Sequence, residues 1–168
     1  MDVGIAPWEA WVRSTWLSAY ILHHAWAWPL METLHYFGLS LLLGTVGVFD
    51  LRVLGFAKGI PLAALHRVIP LGVFGFALNL ATGIGFFSGF PEQYFYNNAF
   101  RVKLALMAVA AVNIALFYTT AFRGVAAVPD RGEAPPRAKL WTAISLTCWI
   151  GVLVCGRLLT FFRPPFFH

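Results

Sequence analysis

Between Trp16 and Phe49 the chain carries one charged residue, Glu32, in 34 consecutive positions. As a single helix these would run ~50 Å at ~1.5 Å per residue, well beyond the ~30 Å of a bilayer's hydrocarbon. The run must therefore break, and Pro29 is the residue that breaks helices. The pattern predicts a Trp-rich helix over about Pro7–Trp26, within an interfacial segment 1–28, and a first span over 29–53. Trp8, Trp11, Trp16, Trp26 and Trp28 would form an aromatic belt on that side. A second apolar run, 62–90, begins after Pro61, contains Pro70, and carries Ala77, Ala81, Gly85 and Gly89 at every fourth position. Such stripes of small residues let helices approach closely in lipid. A third run covers 100–122, with Ala111 and Ala115, and a fourth covers 140–162, with Ala143, Thr147, Gly151 and Cys155. Pro129, Asp130, Arg131, Gly132, Glu133, Pro135, Pro136 and Arg137 mark a polar loop between them, and residues 163–168 form a short tail. The predicted fold is all-α: a bundle of four transmembrane helices behind an interfacial helix.

Composition sharpens this. Of 168 residues, 60% are hydrophobic and 11% charged, against about 25% charged in a soluble domain. The bilayer is the expected partner. The net charge of +5 comes from basic residues scattered singly at the ends of apolar runs, which points to lipid headgroups and excludes a nucleic-acid surface. Cys148 and Cys155 lie two turns apart on one predicted helix and are not placed to bond to each other. The start, Met-Asp-Val-Gly, lacks the basic stretch of a cleavable signal and is read as mature. Seven basic residues (Arg52, Lys58, Arg67, Arg123, Arg131, Arg137 and Lys139) flank the first and third loops, against five (Arg13, Arg101, Lys103, Arg157 and Arg163) on the other side. The bias predicts both termini outside.

Ionisable residues inside spans are costly and each demands an account. Glu32 and His35 share a helix face near the outer boundary, with Arg157 and Arg101 at similar depth. Two readings are open. One is an outer polar pocket of Glu32, His35, Arg157 and Arg101, with Tyr36 and Asn79 or Thr82 nearby, holding a metal, haem b or a quinone. The other is a Glu32–Arg157 ion pair pinning the first and fourth helices, with His35 hydrogen-bonding across the bundle. Glu-Thr-Leu-His has the Glu-x-x-His spacing of di-iron bundles, but those require it twice. A single metal held by His35 and His24, with His23, requires the interfacial helix to fold back. For haem, His35 and His66 sit at opposite ends of their spans, since 35 to 52 alone covers ~25 Å of helix. Its second ligand would have to be His23, His24, a non-histidine group or another chain. Gly38 would give the macrocycle room, and Arg157 or Arg101 would meet its propionates. On the inner side Asp50, Arg52, His66 and Arg67 suggest charge pairing at the headgroup boundary, with proton transfer through His66 as the alternative. Asn79 and Asn113 are expected to bond between helices. Phosphate loops, nucleophile elbows and zinc-protease motifs are missing, so no catalytic activity is expected of the chain alone.

Leu34-His35-Tyr36-Phe37-Gly38-Leu39, Phe49-Asp50-Leu51-Arg52-Val53-Leu54-Gly55, Asn97-Asn98-Ala99-Phe100-Arg101-Val102-Lys103, Trp149-Ile150-Gly151 and Gly156-Arg157-Leu158-Leu159 together cover most of the chain from about Met31 to Phe161. In these motifs it resembles an uncharacterised family of small bacterial four-helix membrane proteins. That resemblance implies a bacterial inner membrane and four spans, and no activity. A vaguer likeness to cytochrome-b-like and copper-resistance membrane proteins rests on His35 and Gly38. The function expected is haem or quinone binding in electron transfer. An accessory subunit packing through its small-residue seams is the alternative, followed by a small ion or metabolite transporter. Self-association or a partner membrane subunit is expected from the same seams.

Overall fold

The computed structural model describes residues 6–129 and 131–162; Asp130, Arg163 and the rest of the predicted tail lie outside that range. The amino-terminal segment forms two short helices in place of the one expected. Helix α1, Pro7–Arg13, starts on a proline whose missing N–H costs nothing there, and Glu9 accepts from the Ala6 amide at 3.1 Å. The chain then restarts as α2, Trp16–His23, because the Thr15 hydroxyl caps it by accepting from the Ser18 amide.

The first span begins at Ala27, so Pro29 sits in the first turn of α3, Ala27–Leu42, and does not break it. There the missing N–H has no helical acceptor to lose. A π-helical turn at Leu43–Gly47 joins α3 to α4, Val48–Leu54. Gly55, at φ +110°, ends it with a left-handed cap in which the Gly55 amide donates to the Arg52 carbonyl and the Phe56 amide to that of Leu51. The second span is α5, Leu62–Gly89, which passes through Pro70 unbroken. A short α6, Pro91–Phe95, leads to Asn97, whose side chain caps the third span, α7, Asn98–Thr120. After α8, Phe122–Ala126, the fourth span α9 covers Pro136–Leu158, four residues earlier than the hydropathy suggested. Pro136 supplies its first turn, and Arg137 and Lys139 extend it into the headgroup region. The described residues contain no strand, and four helices are long and apolar enough to cross a membrane.

The helices pack as two hairpins, α3 with α5 and α7 with α9, which meet where α4 lies on α9. The seams differ from the every-fourth-residue stripes. On α5 the buried small residues are Gly72, Gly75, Thr82, Gly85, Ser88 and Gly89, while Ala77 and Ala81 are exposed. A strict spacing of four drifts about 40° per step around a helix of 3.6 residues per turn, so such a stripe leaves the interface within two turns. On α7 Ala110, Asn113 and Phe117 are buried while Ala111 and Ala115 are exposed, and on α9 Ala138, Thr142, Ser145, Trp149 and Val152 face inward. These inward rows alternate steps of three and four. Gly38 and Gly75 bring α3 and α5 close enough that a Cβ on Gly38 would fall 2.7 Å from the Gly75 carbonyl oxygen. The backbones of α5 and α7, by contrast, stay apart.

Candidate functional site

Between α5 and α7 two cavities follow one another through the bundle. The one at the bundle end covered by α1 and α2, called outer after the topology that the basic residues predict, has a volume of about 310 Å³ and is lined by His35, Asn79, Lys103 and Phe87 among apolar side chains. Its rim residues Leu80, Ile84 and Leu104 are about half exposed, so the cleft opens sideways toward lipid.

His35 is the fixed element of this cleft. Its Nδ1 lies 2.7 Å from the Thr82 hydroxyl oxygen, and that hydroxyl donates to the Leu78 carbonyl at 2.8 Å. A hydroxyl has one proton, and a carbonyl can only accept, so the Thr82 oxygen accepts from Nδ1–H. The tautomer so fixed carries its lone pair on Nε2, the edge left to the cleft that His35 lines. Phe86 holds the ring edge-on, with centroids 5.5 Å apart. Asn79 donates to the Gly75 carbonyl at 3.0 Å, while its Oδ1 has no partner among the described residues. Lys103 makes no ion pair among the described residues, lies beside Gly156 of α9, and is near enough for its charge to act on His35.

The other expected residues fall elsewhere. Glu32 is exposed and accepts from the Trp28 indole at 3.1 Å; its charge, after burial, pushes the Tyr94 phenol of α6 up to about 12. Arg157 is exposed over the Phe161 ring at 5.3 Å, so the Glu32–Arg157 ion pair is not formed. The physical reason is phase: Arg157 projects off the row of α9 that packs inward. Arg101 likewise turns outward, donating to the Phe95 carbonyl at 3.1 Å and covering that ring. His24 and His23 bond back to the Tyr20 and Ala19 carbonyls on an exposed helix and do not meet His35. No group of three His, Cys, Asp or Glu side chains suited to a metal occurs among the described residues. Gly38 gives no room to a macrocycle, because the space beside it is taken by α5.

The inner cavity, also about 310 Å³, is lined by Asp50, Asn113, Tyr118, Thr142, Ser145 and Trp149 among apolar residues. Here the expected charge pairing of Asp50, Arg52, His66 and Arg67 is replaced by separate contacts. Arg52 is fully buried and donates to the Ile60 carbonyl at 2.8 Å and to that of Gly132 at 3.4 Å, tying both inner loops to the first span. His66 bonds to the Tyr118 hydroxyl at 3.1 Å and Arg67 is exposed. Asp50 faces Ser145. Lys103 and Thr82 carry the outer cleft more than Arg101 and Arg157 do. Their signal lay in the steps of three and four: Lys103, Leu106, Ala110, Asn113 and Phe117 form one row on α7.

No family model, curated protein or solved structure matches this chain.

Proposed function

We propose that this chain binds the head group of an isoprenoid quinone in the outer cleft, as an electron-transfer component of a bacterial inner membrane. The observation that carries the reading is His35, locked by Thr82 as the Nε2 lone-pair tautomer, in an apolar, laterally open cleft that also holds Lys103. A quinone diffuses within the bilayer, so a side opening suits it, and its ring suits a lining of Phe76, Phe87, Phe100 and Met107. A quinol hydroxyl would donate to His35 Nε2, and the Lys103 ammonium would favour the negative charge that builds on a quinone oxygen during reduction. Haem b fits less well: Gly38 is closed by α5, and neither His23, His24 nor His66 approaches His35. The seven basic residues at the α4–α5 and α7–α9 ends support termini on the periplasmic side, and the motifs around His35, Asp50 and Asn97 support kinship with the small bacterial four-helix proteins.

The test is organic extraction of detergent-purified protein, with chromatographic measurement of quinone per chain and an optical spectrum of the same sample. The wild type, kept reduced, should retain near-stoichiometric quinol and be free of a Soret band, and His35→Ala should lose about tenfold of the retention, the loss of one hydrogen bond of about 1–1.5 kcal/mol. A Soret band abolished by His35→Ala would replace the quinone with haem. Quinone at the level of the surrounding lipid would leave a colourless accessory subunit as the function.

A further inference from the structure

We propose that the inner cavity is a proton-binding site within the bilayer, in which the Asp50 carboxyl holds an exchangeable proton that arrives from the inner surface by way of His66 and Tyr118. Neither His35, Thr82 nor Lys103 enters this argument, so it stands apart from the quinone reading.

Asp50 is 3% exposed, and its Oδ2 has no hydrogen-bond partner among the described residues. Asn113, 4% exposed, lines the same cavity with an equally unpartnered Oδ1. Trp149, in the wall shared with the outer cleft, adds an unpartnered indole N–H. A fold that needed Asp50 only for packing would satisfy or replace it, because a buried polar atom without a partner costs about 1–3 kcal/mol and a charge costs more.

Among the described residues the surroundings supply no counter-charge. On its own helix the Arg52 guanidinium is engaged by the Ile60 and Gly132 carbonyls. The π turn packed beside it, Leu43–Gly47, contains no titratable residue. On α5 His66 is held by Tyr118 and Arg67 is exposed. The α9 helix presents Ser145 to Asp50, carries Cys148 as its nearest thiol, and has no charged residue between Lys139 and Arg157. What can neutralise the carboxylate in place is a proton.

The route is built into two helices. His66 stands one turn inside α5 from the inner loop, its Nε2 is 3.1 Å from the Tyr118 hydroxyl, and Tyr118 lines the cavity with Asp50. A proton taken from water by His66 passes to Tyr118 as that hydroxyl releases its own toward the cavity. There, water held by Asn113 Oδ1 completes the transfer to Asp50 Oδ2. His66 gains an N–H bond as water loses an O–H, each later step forms one O–H bond for the N–H or O–H bond it breaks, and no electron moves.

The experiment is infrared difference spectroscopy on the full chain in liposomes after a jump from about pH 9 to about pH 6, both well above the ordinary aspartate value of about 3.9. A protonated-carboxyl carbonyl band should grow in, vanish in Asp50→Asn, and shift while persisting in Asp50→Glu. His66→Gln should reach the same final amplitude at least about tenfold more slowly, since only the transfer step is removed. A band that survives in Asp50→Asn, or none in a protein with wild-type helical circular dichroism, overturns the site. Unchanged kinetics in His66→Gln overturns the route. Loss of the band on adding sodium but not potassium at constant pH overturns the proton in favour of an alkali cation.

Discussion

The two cavities have the same size, about 310 Å³, and share Leu42, Phe76, Met107 and Trp149 as a common wall. Each has an amide oxygen without a partner among the described residues, Asn79 Oδ1 in one and Asn113 Oδ1 in the other, and they differ in how they hold His35 and Asp50. In the outer cleft a relay from the Leu78 carbonyl through Thr82 to His35 fixes one ring nitrogen and presents the other. In the inner cavity Asp50 Oδ2 and Asn113 Oδ1 have no hydrogen-bond partner among the described residues. A group that must meet one ligand atom at one angle benefits from being oriented in advance. A group that must take up and release a proton benefits from being left accessible to both states. The difference also shows in the helices: the outer end of the first span lies on α5 through glycine, whereas its inner end turns to α9 as well, with the π turn at the change of neighbour.

Four substitutions and one titration test that contrast. The largest effect is expected from Gly75→Leu, whose side chain would drive α3 away from α5 where backbone meets backbone; we expect a loss of about 3 kcal/mol or more in detergent unfolding, and with it quinone retention. Arg52→Ala should follow, at about 2–3 kcal/mol, because two loop carbonyls lose a charged donor; early protease cleavage near Gly132 would register it. Thr82→Val removes the acceptor of His35 Nδ1–H and should cost about 1–2 kcal/mol, with weakened quinone retention despite an intact His35. Asp50→Asn should change unfolding by less than about 1 kcal/mol, or stabilise, since it removes a buried acid one of whose oxygens has no partner among the described residues. A cost for Asp50→Asn as large as that of Thr82→Val would erase the distinction between the cavities. The smallest effect concerns Glu133, held below the usual glutamate range by hydrogen bonds first from Lys58 and then from Lys139. With a depressed folded value, its contribution is complete above the ordinary glutamate value of about 4.3 and is lost as pH falls through the lower folded one. Amide protection factors in the inner loop, with the intrinsic pH dependence of exchange divided out, should therefore stay flat above about pH 5 and fall slightly only in acid.

The four spans were legible because apolar length alone decides what crosses a bilayer, and no tertiary contact competes with it. Helix ends were less so. Pro29 reads as a breaker until its place within the first turn is known, and Thr15 breaks the amino-terminal helix through a cap that apolar counting ignores. The seams were misread for a geometric reason, since a repeat of four fits the eye while 3.6 fits the helix; Ala77 and Ala81 mark the error. His35 was legible as the centre of the outer site by its cost in lipid. Arg157 and Glu32 were drawn in by depth, but depth without phase does not bring side chains together. Thr142, Ser145 and Trp149 gave no signal as a polar set, being dispersed among apolar neighbours until α4 and α7 are laid against α9.

The amino-terminal helices have a consequence for how the molecule is made. Trp8 of α1 rests on Phe95 of α6 at 4.5 Å between centroids, Arg13 pairs with Glu92, and α2 leans on α5. Every one of these partners is synthesised later than the segment that needs it. The residues that leave the ribosome early must wait at the membrane surface, held there by their tryptophans, until two spans have been inserted. The interfacial belt is thus a holding position during biogenesis before it becomes the cover over the finished bundle.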